Sequence, residues 1–123
     1  MKKSSSSFSL LARFKSFSHA FRGFNSLFRE EHNARIHLVA AICAIGVGVW
    51  LGISRLEWIA ICSVIAFVFF AELINTAIEN LADTISLDYH PKIKIAKDVA
   101  SASVLIMAIL SLIVAGIVFL PYL

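Results

Sequence analysis

The chain has 123 residues, 59% hydrophobic and 15% charged, with 11 Lys and Arg against 8 Asp and Glu, a net charge of +3 and a mean hydropathy of +0.86. Soluble domains run at about 45–50% apolar and about 25% charged residues, so a water-soluble globule is excluded, as is disorder, which needs low hydrophobicity. Two cysteines are too few for a disulfide scaffold, which leaves a small integral membrane protein.

Residues 1–11, with Lys2, Lys3 and a run of serines, read as a flexible basic tail, and residues 12–123 as one domain without an internal repeat. Phe8 to Ala12 is interrupted by Ser9 and too short for the apolar part of a signal peptide, so none is expected. Over residues 12–29 the pattern predicts a helix, because Phe14, Phe17, Phe21, Phe24 and Phe28 recur at spacings that share one helical face. Arg13, Lys15, His19, Arg22 and Arg29 fall largely elsewhere, which suits an amphipathic helix lying in the membrane surface. The stripe by itself favours a plain lipid anchor.

Three apolar runs, extended to the roughly 20 residues that a spanning helix needs, predict spans over residues 33–53, 57–83 and 95–120. Ser54, Arg55, Leu56 and Glu57 form the reversal between the first two. Cys43 and Cys62 then differ in depth by about 9 Å, too far for a bridge, and read as packing residues. Basic residues crowd the segment before Glu30 and recur at Lys92, Lys94 and Lys97, whereas the Ser54 loop carries only Arg55. The positive-inside bias puts the N-terminus and the second connection in the cytoplasm, with the short turn and Leu123 outside. Nucleic acid is not an expected partner.

The second span carries the chemistry. Glu72, Asn75, Thr76, Glu79 and Asp83 stand within roughly 100° of arc on one side of a helix. Counted from Glu57, Glu72 lies ~23 Å and Glu79 ~33 Å along it, against a hydrocarbon thickness of ~30 Å. Glu72 is thus placed just inside the cytoplasmic interface, where a carboxylate is expensive and functional by default. Glu30, Glu31, His32 and Asn33 reach the same level from the first span, and Asp88, Tyr89, His90, Lys97 and Asp98 from the loop and the third.

Hard oxygen ligands such as Glu31 and Glu79 suit Mg²⁺, which bridges a few carboxylates to substrate phosphates, and Lys97 can neutralise phosphate charge. Phosphoryl transfer depends mainly on such positioning and charge neutralisation, with Glu72 available to take a proton from an alcohol. Neither a P-loop nor a GxGxxG occurs, and His32 and His37 lack partners at zinc-ligand spacing. Periodicity alone leaves the chain open between an enzyme and a small proton- or ion-conducting protein. A conducting relay wants acids across the whole bilayer, yet Trp58 to Ala71 offers only Ser63. A structural subunit would leave the polar stripe without a purpose.

The run Glu72-Leu-Ile-Asn-Thr-Ala-Ile-Glu79, followed by Asp83, His90-Pro-Lys and Ala96-Lys-Asp98, closely resembles the signature of the bacterial integral-membrane diacylglycerol kinase family, over about Arg13 to Leu123. Ser16-Phe-Ser-His-Ala20, Glu57-Trp58, His90-Pro91 and Phe119-Leu-Pro121 look more like its undecaprenol kinase branch. The resemblance implies an ATP- and Mg²⁺-dependent lipid kinase of the bacterial inner membrane, a homotrimer whose sites lie between subunits, with undecaprenol or diacylglycerol as acceptor. Glu72 then matches the general base and Asn75 its polar support; Glu31 and Glu79 match the magnesium ligands. Lys15, His19, Asp88, Tyr89, His90, Lys97 and Asp98 match nucleotide-contacting positions, with Lys15 and His19 falling where the family meets ATP or lipid. Arg35 and Ser101 match positions near the lipid. Ala12 departs from relatives that carry a basic residue there.

Overall fold

A computed structural model describes residues 8–123, so residues 1–7 of the expected tail lie outside the described residues. Four helices follow in order, α1 (Leu10–Glu30), α2 (His32–Leu51), α3 (Arg55–Ile85) and α4 (Pro91–Phe119), closed by a 3-10 turn over Leu120–Tyr122. Among the described residues there is no strand, as an all-α chain requires. The last three helices are each long and apolar enough to cross a membrane. At 1.5 Å per residue α3 runs about 46 Å, well beyond an apolar layer of about 30 Å.

The helix ends follow local chemistry. α1 starts two residues before its expected beginning because Ser9 caps it, its hydroxyl accepting from the Ala12 N–H. A single extended residue, Glu31, separates α1 from α2. Arg35 secures this break, donating through Nε to the Phe28 carbonyl and through its guanidinium to the Arg29 carbonyl, each at 2.6 Å. One side chain of α2 thereby satisfies two carbonyls that the end of α1 leaves open.

The first reversal is tighter than expected and lies earlier. Gly52 takes the left-handed conformation, φ 66°, and the N–H groups of Gly52 and Ile53 return to the Gly48 carbonyl, an ending for which glycine is suited. Ser54 and Glu57 then form a reciprocal capping box, so Arg55 to Glu57, expected in the turn, belong to the first turn of α3. The Tyr122 hydroxyl donates to Glu57 at 2.5 Å and ties the chain end to this corner. α4 begins four residues before its expected start, with His90 as N-cap and Pro91 at the first position.

α3 packs most extensively on α4 and less on α2. Ile53, Ile61 and Val118 form the buried cluster near the α2–α3 corner, with Trp58, Leu51 and Phe119 around it. The Trp58 ring lies so close to Gly48 that a Cβ there would stand 2.8 Å from it. At the other end α1 is held by buried Leu27 and by Phe28, whose ring meets Phe69 edge-on at 5.8 Å. Phe14, Phe17, Phe21 and Phe24 remain exposed in the single chain. Cys43 and Cys62 are free, as expected, but both are exposed in the single chain, and Cys43 borders a cavity between α2, α3 and α4.

Candidate functional site

Glu72 is one of the three largest side chains to be fully buried, at 1% exposure. Its Oε2 lies 2.7 Å from His37 Nδ1 on α2. An ionised carboxylate only accepts hydrogen bonds, so with Glu72 ionised it is Nδ1 that donates. Both side chains line a polar cavity of about 260 Å³, together with Asn33 of α2, Asn75 of α3 and Ser101 of α4. Asn75 is itself buried, and its Oδ1 has no hydrogen-bond partner. Such an orphan costs about 1–3 kcal/mol, which a ligand's donor would relieve. An apolar cavity of about 350 Å³ lies between the same three helices, lined by Ala40, Val47, Val64, Phe69 and Leu112 among others. His37 borders both.

A second acidic group lies where α1 meets α2. The Glu31 carboxyl is pushed up to about 7, first by burial, then by its hydrogen bond to Glu79 and that residue's charge, with smaller effects from Glu72 and Glu30. Glu31 and Glu79 are therefore close enough to repel. Asn80 of α3 reaches Glu30 of α1 at 3.5 Å and helps hold the two helices together here. Among the described residues no three His, Cys, Asp or Glu side chains group as a complete metal site. Two opposed carboxylates nonetheless fit Mg²⁺, which keeps several waters and takes other ligands from phosphates, and a cation between them would remove their repulsion.

The other expected residues fall around this centre. Lys97 pairs with Asp83 across α4 and α3 at 2.6 Å, and Asp98 pairs with Lys94 at 2.7 Å on the exposed face of α4. His90 accepts from the Lys92 N–H as the α4 cap, and Asp88 and Tyr89 are exposed in the preceding loop. Lys15 and His19 are exposed on α1, His19 touching Arg22. Neither borders the two cavities. Arg35 is engaged with the α1 carbonyls rather than facing either cavity, whereas Ser101 lines the polar one.

Asn33, expected at this level without a role, lines the cavity, and His37 is the residue that the sequence reading misses. A signal for His37 was present, since an ionisable side chain inside an apolar span calls for a partner, and Glu72 supplies it.

A buried acid that has a donor on one oxygen and a cavity beside it can take a proton, and the paired carboxylates beyond it suit a divalent cation. A profile of the family described as prokaryotic diacylglycerol kinase matches residues 18–119. The chain belongs to that family. It is similar to the undecaprenol kinase of Bacillus subtilis, at 41% identity over 88% of each chain. It is also similar to the diacylglycerol kinases of Escherichia coli, 30% identical over 80% of this chain and 81% of that one, and Haemophilus influenzae, 32% identical over 82% and 86%. Membership makes the protein a multi-pass membrane lipid kinase, and the ion-conducting reading that the acid stripe left open is set aside.

Proposed function

We propose that the protein is an ATP- and Mg²⁺-dependent kinase that phosphorylates the hydroxyl of a membrane alcohol, with undecaprenol as acceptor and undecaprenyl phosphate as product. The observation that carries this reading is buried Glu72 beside the polar cavity, with unpartnered Asn75 Oδ1 and Ser101 at its walls and an apolar cavity next to it. A lipid alcohol fits this pair of spaces, head in the polar one and chain in the apolar one. Glu72 takes the hydroxyl proton as the alcohol oxygen attacks the γ-phosphorus and ADP leaves with the electrons of the broken bond. Asn75 orients the head group. Glu31 and Glu79 would hold Mg²⁺, which when bound screens the charge of the phosphates. Lys97, Asp98, Asp88, Tyr89 and His90 are available to the nucleotide, Lys97 by exchanging Asp83 for phosphate.

The amphipathic α1 lies in the membrane surface with its phenylalanines in the lipid, Lys15 and His19 toward nucleotide or head group, and Arg35 where the lipid passes. The N-terminus is cytoplasmic and Leu123 is outside. The chain works as a homotrimer, since three spans alone leave the acidic groups and a nucleotide largely unwalled. The similarity to a named undecaprenol kinase at 41% supports that acceptor, and the named diacylglycerol kinases support phosphatidic acid as the second reading. Purified protein given γ-labelled ATP with undecaprenol and diacylglycerol in competition should label undecaprenol in preference. Preferential labelling of diacylglycerol would reverse the order, and no labelling of either would remove the kinase reading.

A further inference from the structure

We infer that His37 is the positioning residue of this site: its Nδ1–H grips Oε2 of Glu72, fixing the buried carboxyl in one rotamer and leaving Oε1 to the acceptor hydroxyl. The inference rests on the kinase reading and deepens it by naming what holds the base.

A base that is already protonated cannot accept the alcohol's proton, and an ionised carboxylate sealed from water costs several kcal/mol unless it is paired and hydrogen-bonded. Glu72 is 1% exposed, and the carboxyl whose electrostatics it touches, Glu31, is of its own kind and offers no compensating positive charge. Three basic groups at this end are engaged elsewhere: Lys97 with Asp83, Lys94 with Asp98, Arg35 with two backbone carbonyls. His37, at 2.7 Å and with 23% of its side chain exposed, is the donor that meets the base. It also stands where the polar and apolar cavities adjoin, so the same imidazole that fixes Oε2 borders the path of the lipid.

In the transfer step the alcohol O–H bond breaks and its proton forms a bond to Glu72 Oε1. The alcohol oxygen bonds to the γ-phosphorus, and the bond to the leaving ADP breaks with its electron pair. The Nδ1–H bond of His37 stays intact throughout. Its contribution is orientation, as for any group that holds a general base in one rotamer.

The test uses full-length protein with three substitutions. His37→Asn keeps an N–H donor near the place of Nδ1, His37→Gln moves the donor one bond outward, and His37→Leu removes it. His37→Leu should lower kcat on the order of 100-fold, at the low end of what a general base contributes, with the nucleotide KM within about twofold. His37→Asn should recover at least about tenfold of that loss, and His37→Gln should stay near His37→Leu. Infrared difference spectra against Glu72→Gln read the Glu72 carboxylate stretch without any turnover. The band should keep its position in His37→Asn and shift in His37→Leu, where the hydrogen bond to Oε2 is gone.

An unchanged band in His37→Leu, or a kcat within about threefold of the parent, overturns the inference. If His37→Leu does not fold, the Asn and Gln variants decide it, equal kcat and equal bands counting against it. A parent protein that phosphorylates neither lipid removes the kinase reading, and the infrared comparison then decides by itself whether His37 holds Glu72.

Discussion

Replacing Glu72, the proposed base, by Gln isolates the proton-accepting step. The amide has the carboxylate's shape, so its oxygen can still accept from His37 Nδ1, 2.7 Å away in the parent, and the interface of α2 with α3 keeps its packing. Removing a negative charge from a group that is 1% exposed also removes a desolvation cost, so the folded state should not be weakened by more than about 1 kcal/mol. What is lost is the lone pair that receives the hydroxyl proton. General bases contribute about 10²–10⁴ in rate, which is about 2.7–5.4 kcal/mol of barrier at 1.36 kcal/mol per tenfold. Purified parent and variant should therefore show matching thermal unfolding in the same detergent, while turnover of γ-labelled nucleotide onto lipid falls at least about 100-fold. A variant that retains a tenth or more of the parental kcat would remove Glu72 from the mechanism.

Glu79→Gln should raise the Mg²⁺ concentration for half-maximal activity by about tenfold or more, as loss of a charged ligand implies, and an unchanged magnesium titration would count against Glu79 as a ligand. Lys97→Met breaks an exposed pair with Asp83, worth under about 1 kcal/mol, so it should leave unfolding nearly unchanged while raising the KM for ATP. A KM equal to the parent's would release Lys97 from nucleotide binding. For Glu31 the sign follows from its upward shift from 4.5 to about 7: the folded state holds this proton more tightly than the unfolded chain does. Its stabilising effect is complete below pH 4.5 and is lost as pH rises to about 7. Metal-free Glu31→Gln, scanned by thermal unfolding, should lack that decline, and an identical slope in parent and variant would contradict it.

The helices and the acid stripe were legible because both are periodic properties of a single segment. A 3.6-residue repeat places Glu72, Asn75 and Glu79 on one side without reference to the rest of the chain, and apolar run length gives three spans. Helix ends were displaced where side chains intervened. Ser9, the Ser54 capping box and His90 each started a helix before its expected first residue. Contacts between distant segments were the least legible. The meeting of His37 with Glu72 depends on how α2 is rotated against α3, and the capture of the α1 carbonyls by Arg35 depends on the interruption of the helix at Glu31. Neither angle is written in one helix's periodicity.

The flank of the apolar cavity leaves its residues uncovered, with Cys43 exposed and Leu112 at 73%. On the proposed reading, a lipid tail lodged there would leave by this open side of the single chain. Such a doorway measures the head of its guest and ignores how long the rest is. A long polymeric alcohol, the proposed acceptor, would then ask for no pocket of its own length in a chain of 123 residues.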